Sequence, residues 1–95
     1  MNPYEVLYVI TPELDEETNR GVIEKFAGLI ATNGGEVTKS DEWGKRRLAY
    51  PIDYKTEGYY VLVEFSAGPE LPKELERNFK IDERILRYMV IRKEA

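Results

Sequence analysis

The sequence predicts an α+β sandwich, in which one four-stranded antiparallel sheet carries two helices on a single face. Three observations lead there. The apolar pattern alternates between a period of two and a period near 3.6, in the order strand, helix, strand, strand, helix, strand. Turn-forming residues separate these segments, at Thr11-Pro12, Asn33-Gly34-Gly35 and Ala67-Gly68-Pro69. A chain of 95 residues also suffices for one core and leaves no room for a second, so residues 1–95 are expected to form one domain.

Taken in order, residues 4–10 (YEVLYVI) are β-branched and aromatic and end at Thr11-Pro12, which predicts a strand. Tyr4, Val6, Tyr8 and Ile10 share one side, and Glu5, Leu7 and Val9 the other. A helix follows. Asp15 suits its N-cap, Glu16 and Glu17 complement the dipole in its first turn, and Val22, Ile23, Phe26, Leu29 and Ile30 recur at helical spacing. Asn33-Gly34-Gly35 supplies the left-handed residue that ends it. Residues 36–52 are expected to be extended, with a break or bulge at Gly44. A turn is expected over 54–58, then a strand over 59–65 (YYVLVEF). Leu71, Leu75 and Phe79 define a short helix near 72–79, Asp82-Glu83 turns the chain, and residues 85–92 form the last strand. Two right-handed split βαβ units in this order make a ferredoxin-like βαββαβ sandwich. Its first and third strands lie in the middle of the sheet, which agrees with the apolar residues on both their sides.

Composition removes most chemistry. There is no Cys and no His, hence no disulfide, no thiolate metal site and no His-activated nucleophile. The carboxylate pairs Glu16-Glu17, Asp41-Glu42 and Asp82-Glu83 are neighbours in sequence and read as solvated or capping groups. Gly34-Gly35 lacks the spacing and the Lys of a phosphate loop, and no EF-hand spacing occurs. No catalytic residue, metal, cofactor or small-molecule substrate is expected. No apolar run approaches the roughly 20 residues of a membrane span, and the first residues lack a charged signal start, so a soluble cytoplasmic chain is expected.

The net charge of −4 is unevenly placed. Residues 1–44 carry three cations against nine acids, and residues 45–95 carry eleven against nine. Broad, non-specific binding of nucleic acid is therefore disfavoured, while a local contact in the second half stays open. The cations there are Lys45-Arg46-Arg47, followed by the anchoring Leu48, Tyr50 and Ile52, with Arg84, Arg87, Arg92 and Lys93 near the last strand. Arg suits planar, bidentate grip on phosphate. A charged strand end that deters edge pairing would look the same.

The helix-free face of the sheet is a second candidate surface. Both sides of the central strands are apolar, so one apolar set must lie uncovered, and a contiguous patch of that kind marks a protein partner. Leu7 and Val9 on the first strand and Tyr59, Val61 and Val63 on the third are expected to form it. An RNA-recognition motif would need aromatics two apart on this face, and Val61 and Val63 cannot stack bases. Self-association through the face into a homodimer is the other outcome, and a ligand-sensing ferredoxin-like domain would need a polar cleft that the sequence does not offer.

The runs YEVLYVITPELDEE, GKRRLAYPI, EGYYVLVEF and RYMVIR together resemble the bacterial ribosomal small-subunit protein six family, over nearly the whole chain. The Tyr4-Glu5 start and the segment Gly44 to Ile52 are specific to it, and the rest is looser. The resemblance implies a ferredoxin-like fold, no enzymatic activity and a place on the ribosome. There the family pairs with ribosomal small-subunit protein eighteen and binds the central domain of small-subunit rRNA. Arg46 and Arg47 match the family's basic pair, which adds to a candidate RNA set of Lys45, Arg46, Arg47, Arg87, Arg92 and Lys93. Asn2-Pro3 departs from the Arg or Lys that members often carry before the first Tyr.

Overall fold

β-Branched and aromatic side chains form β1 (Asn2–Ile10), β3 (Lys55–Ala67) and β4 (Ile85–Arg92), the largely charged and exposed β2 (Glu36–Ile52) pairs along β3, and helical spacing forms α1 (Glu16–Thr32) and α2 (Leu71–Ile81). The computed structural model describes residues 1–93. The sheet runs β2-β3-β1-β4 with every neighbouring pair antiparallel, so β1 and β3 are central and the fold is ferredoxin-like, as the sequence predicts. Asp15 caps α1 by accepting a hydrogen bond from the Thr18 N–H at 2.7 Å. Gly34, with φ 82°, supplies the left-handed residue just after that helix.

Register decides which side of each strand is buried. Tyr4, Val6, Tyr8 and Ile10 stand opposite Phe65, Val63, Val61 and Tyr59, and directly opposed residues project to the same side. These two rows meet Val22, Phe26 and Ile30 of α1 and Leu71, Leu75 and Phe79 of α2 to make the core. Phe26 and Phe79 stack with ring centroids 4.3 Å apart, and Tyr8 lies against both. The Tyr8 hydroxyl is buried without a hydrogen-bond partner. Burial, and secondarily the charge of Glu42, push its pKa far up, so it stays protonated.

This register corrects the expected partner surface. Val61 and Val63 are core residues, 0% and 5% exposed, and Tyr59 packs partly buried on the same helix-covered side. The uncovered side of β3 carries Tyr60, Leu62 and Glu64 instead, opposite Val9, Leu7 and Glu5 of β1. Alternation alone could not choose between two apolar sets on β3. The carboxylate of Glu64, two residues along from Leu62, marked the solvent side.

The β2–β3 hairpin outgrows the rest of the sheet. Pairing of β1 with β3 stops at Ile10–Tyr59, whereas β3 begins four residues earlier, at Lys55. The turn lies at Asp53 and Tyr54, both at positive φ (48° and 64°), which makes a two-residue hairpin loop rather than the turn expected over 54–58. Gly58 belongs to β3 and has a packing role: a Cβ there would run into the Val9 side chain. Leu48 packs beside the same glycine, so the hairpin covers Val9, which is only 3% exposed.

Asp82 ties the helices together below the sheet. Its carboxylate accepts from Lys25 of α1 at 2.9 Å and from the Arg84 guanidinium at 2.9 and 2.8 Å. The Arg84 bonds, reinforced by Lys25, hold its pKa well below the usual carboxylate range.

Candidate nucleic-acid interface

The cation run sits on the hairpin because of a bulge. Trp43 and Gly44 together stand opposite Tyr60, with Gly44 at φ 82°, a conformation that glycine adopts without strain. Beyond the bulge, Lys45, Arg46 and Arg47 pair with Tyr59, Gly58 and Glu57. Lys45 and Arg47 therefore project to the helix side of the hairpin, and Arg46 to the open side. The bulge re-aims Trp43 without merging the three cations. A second irregularity sets Leu48, Ala49, Tyr50 and Pro51 against Thr56 alone. Pro51 has no N–H to lose where the ladder fails.

Across the open face the rows are Gly44–Tyr60–Val9–Arg87, then Asp41–Leu62–Leu7–Met89, then Lys39–Glu64–Glu5–Ile91. The first row is aromatic and cationic. Trp43 and Tyr60 lie nearly parallel, 9° apart with centroids at 6.3 Å, and the Arg46 guanidinium sits 4.9 Å from the Trp43 ring centroid. Arg87 reaches across from β4, donates to the Tyr50 hydroxyl at 2.9 Å and lies over that ring. The middle row is hydrocarbon except for Asp41 at its edge, with Met89 50% exposed. Lys39 and Lys93 neutralise Glu64 in the last row. A groove of about 220 Å³ runs between the first two rows, with Leu7, Val9, Tyr60, Arg87 and Met89 in its lining.

The six candidate cations thus separate. Lys45, Arg46, Arg47 and Arg87 lie toward the hairpin end, Arg46 and Arg87 clustered on the open side and Lys45 and Arg47 on the helix side, and none has a carboxylate within 4.0 Å among the described residues. Arg92 and Lys93 lie roughly 20 Å away along β4, at about 3.4 Å per residue. Arg92 donates to Asn2 and Lys93 is paired with Glu64, so the structure does not bring these two into the cluster. Arg84 is committed to Asp82. Of the expected partner residues, Leu7 lies half-buried on the open face and Val9 forms the floor of its groove. Tyr60, Leu62, Met89, Ile91 and Trp43 were missed, because their exposure depends on register and on the bulge.

On the other side of the hairpin, Tyr59 donates to Glu42 at 2.7 Å, and this hydrogen bond, with some burial, raises its pKa to about 12. These side chains line a shallow depression with Thr11, Asn19, Arg20 and Lys45, in which acids and bases balance. The described residues contain no cluster of three metal-ligating side chains, and no helix among them is long and apolar enough to cross a membrane.

Comparison with known proteins agrees with the resemblance. The model of the family described as Ribosomal protein S6 matches residues 3–92. The chain is 53% identical over 92 residues to the small ribosomal subunit protein bS6 of Caldanaerobacter subterraneus subsp. tengcongensis, covering 97% of each chain. It is 46% identical over 95 residues to that of Clostridium beijerinckii, covering all of both. The crystal structure of 30S ribosomal protein S6 from Thermotoga maritima superposes with a TM-score of 0.93 at 27% identity, covering 97% of this chain and 87% of that one. Family match, relatives and fold converge: the chain belongs to the ribosomal protein S6 family, a family of structural, non-enzymatic ribosomal proteins.

Proposed function

We propose that the chain is a structural constituent of the small ribosomal subunit that binds the central domain of small-subunit rRNA cooperatively with ribosomal small-subunit protein eighteen. One observation carries this reading. Hydrocarbon side chains that no helix covers (Leu7, Leu62, Met89 and Ile91) adjoin Arg46 and Arg87, guanidinium groups without acidic partners among the described residues, on the same sheet face. An uncovered apolar patch favours a protein partner, and free guanidinium groups favour phosphate. Four cations on a chain of net charge −4 give weak attraction to RNA alone. A basic partner seated on the hydrocarbon rows supplies the missing charge, and the coupling between partner and RNA is reciprocal.

The test is a binding titration to a central-domain rRNA fragment, with and without protein eighteen. Binding should tighten when the partner is present, and equal affinity in both arms would refute cooperativity. Arg46→Ala combined with Arg47→Ala should weaken the ternary complex and lower the salt slope of assembly by about two, with folding intact.

A further inference from the structure

The register that buries Val61 and Val63 also brings Tyr60 to the open face, beside Trp43 and between two arginines. We propose that this row is a stacking site for unpaired RNA nucleotides, in which Trp43 and Tyr60 receive bases and Arg46 and Arg87 hold the adjoining phosphates. The inference rests on the rRNA-binding reading and specifies what part of an RNA the site takes.

Three features carry it. Trp43 is 36% exposed, and Tyr60 beside it is half-buried, so neither ring is lost to the core. A surface ring on a central strand, flanked by a parallel ring from the next strand, is the arrangement on which successive bases stack. Next, both guanidinium groups of the row rest on aromatic rings and have no carboxylate within 4.0 Å among the described residues. They are held in place by contacts that leave their charge uncompensated. The acids of this face lie elsewhere. Glu5 and Glu64 occupy the opposite end with Lys39 and Lys93, and Asp41 stands one row away beside Leu62. Finally, the groove beside Tyr60 and Arg87, at about 220 Å³, is below the roughly 300–1,000 Å³ of small-molecule pockets. It offers room for one planar ring. Paired bases show only their edges in a duplex, so a helix could use the two arginines but not the rings. An acidic peptide could pair with the arginines, and is the competing occupant.

The experiment replaces the rings and the charges separately. Ternary assembly on the rRNA fragment with protein eighteen is measured for Trp43→Ala, Trp43→Phe and the Arg46→Ala/Arg47→Ala pair, each checked for unchanged thermal unfolding. Trp43→Ala should weaken assembly roughly 5- to 150-fold, as for loss of one stacked base, and Trp43→Phe should recover most of it. Trp43 is the only tryptophan, so its fluorescence reports on the site itself. In the isolated chain at low salt it should be quenched by a short unstructured oligoribonucleotide, and not by the same sequence as a duplex, by inorganic polyphosphate or by polyglutamate. Wild-type assembly by Trp43→Ala, alongside a weakened Arg46→Ala/Arg47→Ala protein, would overturn the stacking site and leave rRNA binding standing. Quenching by duplex or polyphosphate equal to that by the single strand would reduce the site to charge, and preferential quenching by polyglutamate would assign it to an acidic peptide.

Discussion

β3 carries hydrocarbon on both its sides, and the two sides have opposite fates. Val61, Val63 and Phe65 disappear beneath α1 and α2, whereas Tyr60 and Leu62 remain half-exposed with Met89 and Ile91 beside them. Residue type does not separate the two sets. What separates them is company: the buried row faces Tyr4, Val6 and Tyr8 and through them Phe26 and Phe79, while the open row ends in Glu64 and meets Glu5. Burial here follows from which neighbours register assembles, and a protein can keep a half-buried hydrocarbon face only where charged groups border it or a partner covers it.

The sharpest way to break this comparison is to place the same charge on each side of β3. Val61→Asp should cost more than about 4 kcal/mol, since a carboxylate would be buried without a partner, and should leave the chain unfolded or nearly so. Leu62→Asp, one residue along, should cost under about 1 kcal/mol and, under the proposed function, lower affinity for protein eighteen. Urea midpoints for the pair decide it, and equal losses would refute the assignment of faces.

A smaller effect concerns how the covered side keeps its helices. Asp82→Asn should cost about 1.5–3 kcal/mol, because the charge-assisted bonds to Lys25 and Arg84 lose their anion. The sign of the pH dependence follows. The folded-state pKa of Asp82 is depressed, so its stabilisation is complete above the unfolded-state value near 3.9 and is lost as pH falls through the folded-state value. Stability measured from pH 6 downwards should therefore fall more steeply in the wild type than in Asp82→Asn, and parallel curves would argue against the contact. Smallest of all, Tyr8→Phe removes a buried hydroxyl that has no partner and should raise stability by about 1 kcal/mol, read as a higher thermal midpoint.

Much of the fold was legible because it is local. The Asp15 cap, the helical spacing of Val22, Phe26 and Ile30, the break at Gly44 and the strand of residues 85–92 each depend on a few neighbouring residues. The hairpin turn was misplaced for a specific reason. Gly58 is the usual sign of a turn, yet it serves Val9, and the turn itself uses Asp53 and Tyr54 at positive φ, which such a residue pair rarely signals. The candidate site was half legible. Arg46, Arg47, Arg87 and Leu7 were named from the chain, but Arg92 and Lys93 were grouped with them only because they are near in sequence.

By itself, the sequence determined the order of elements, the central place of β1 and β3, the lack of Cys and His and the existence of a cation run on an extended segment. Periodicity, composition and turn chemistry are properties of adjacent residues and survive without coordinates. Only the tertiary structure decided which side of β3 faces the helices, that Trp43 and Tyr60 come together, and that Lys93 is spent on Glu64. Those outcomes depend on register between strands far apart in the chain, and a shift of one residue would exchange every side chain between core and surface.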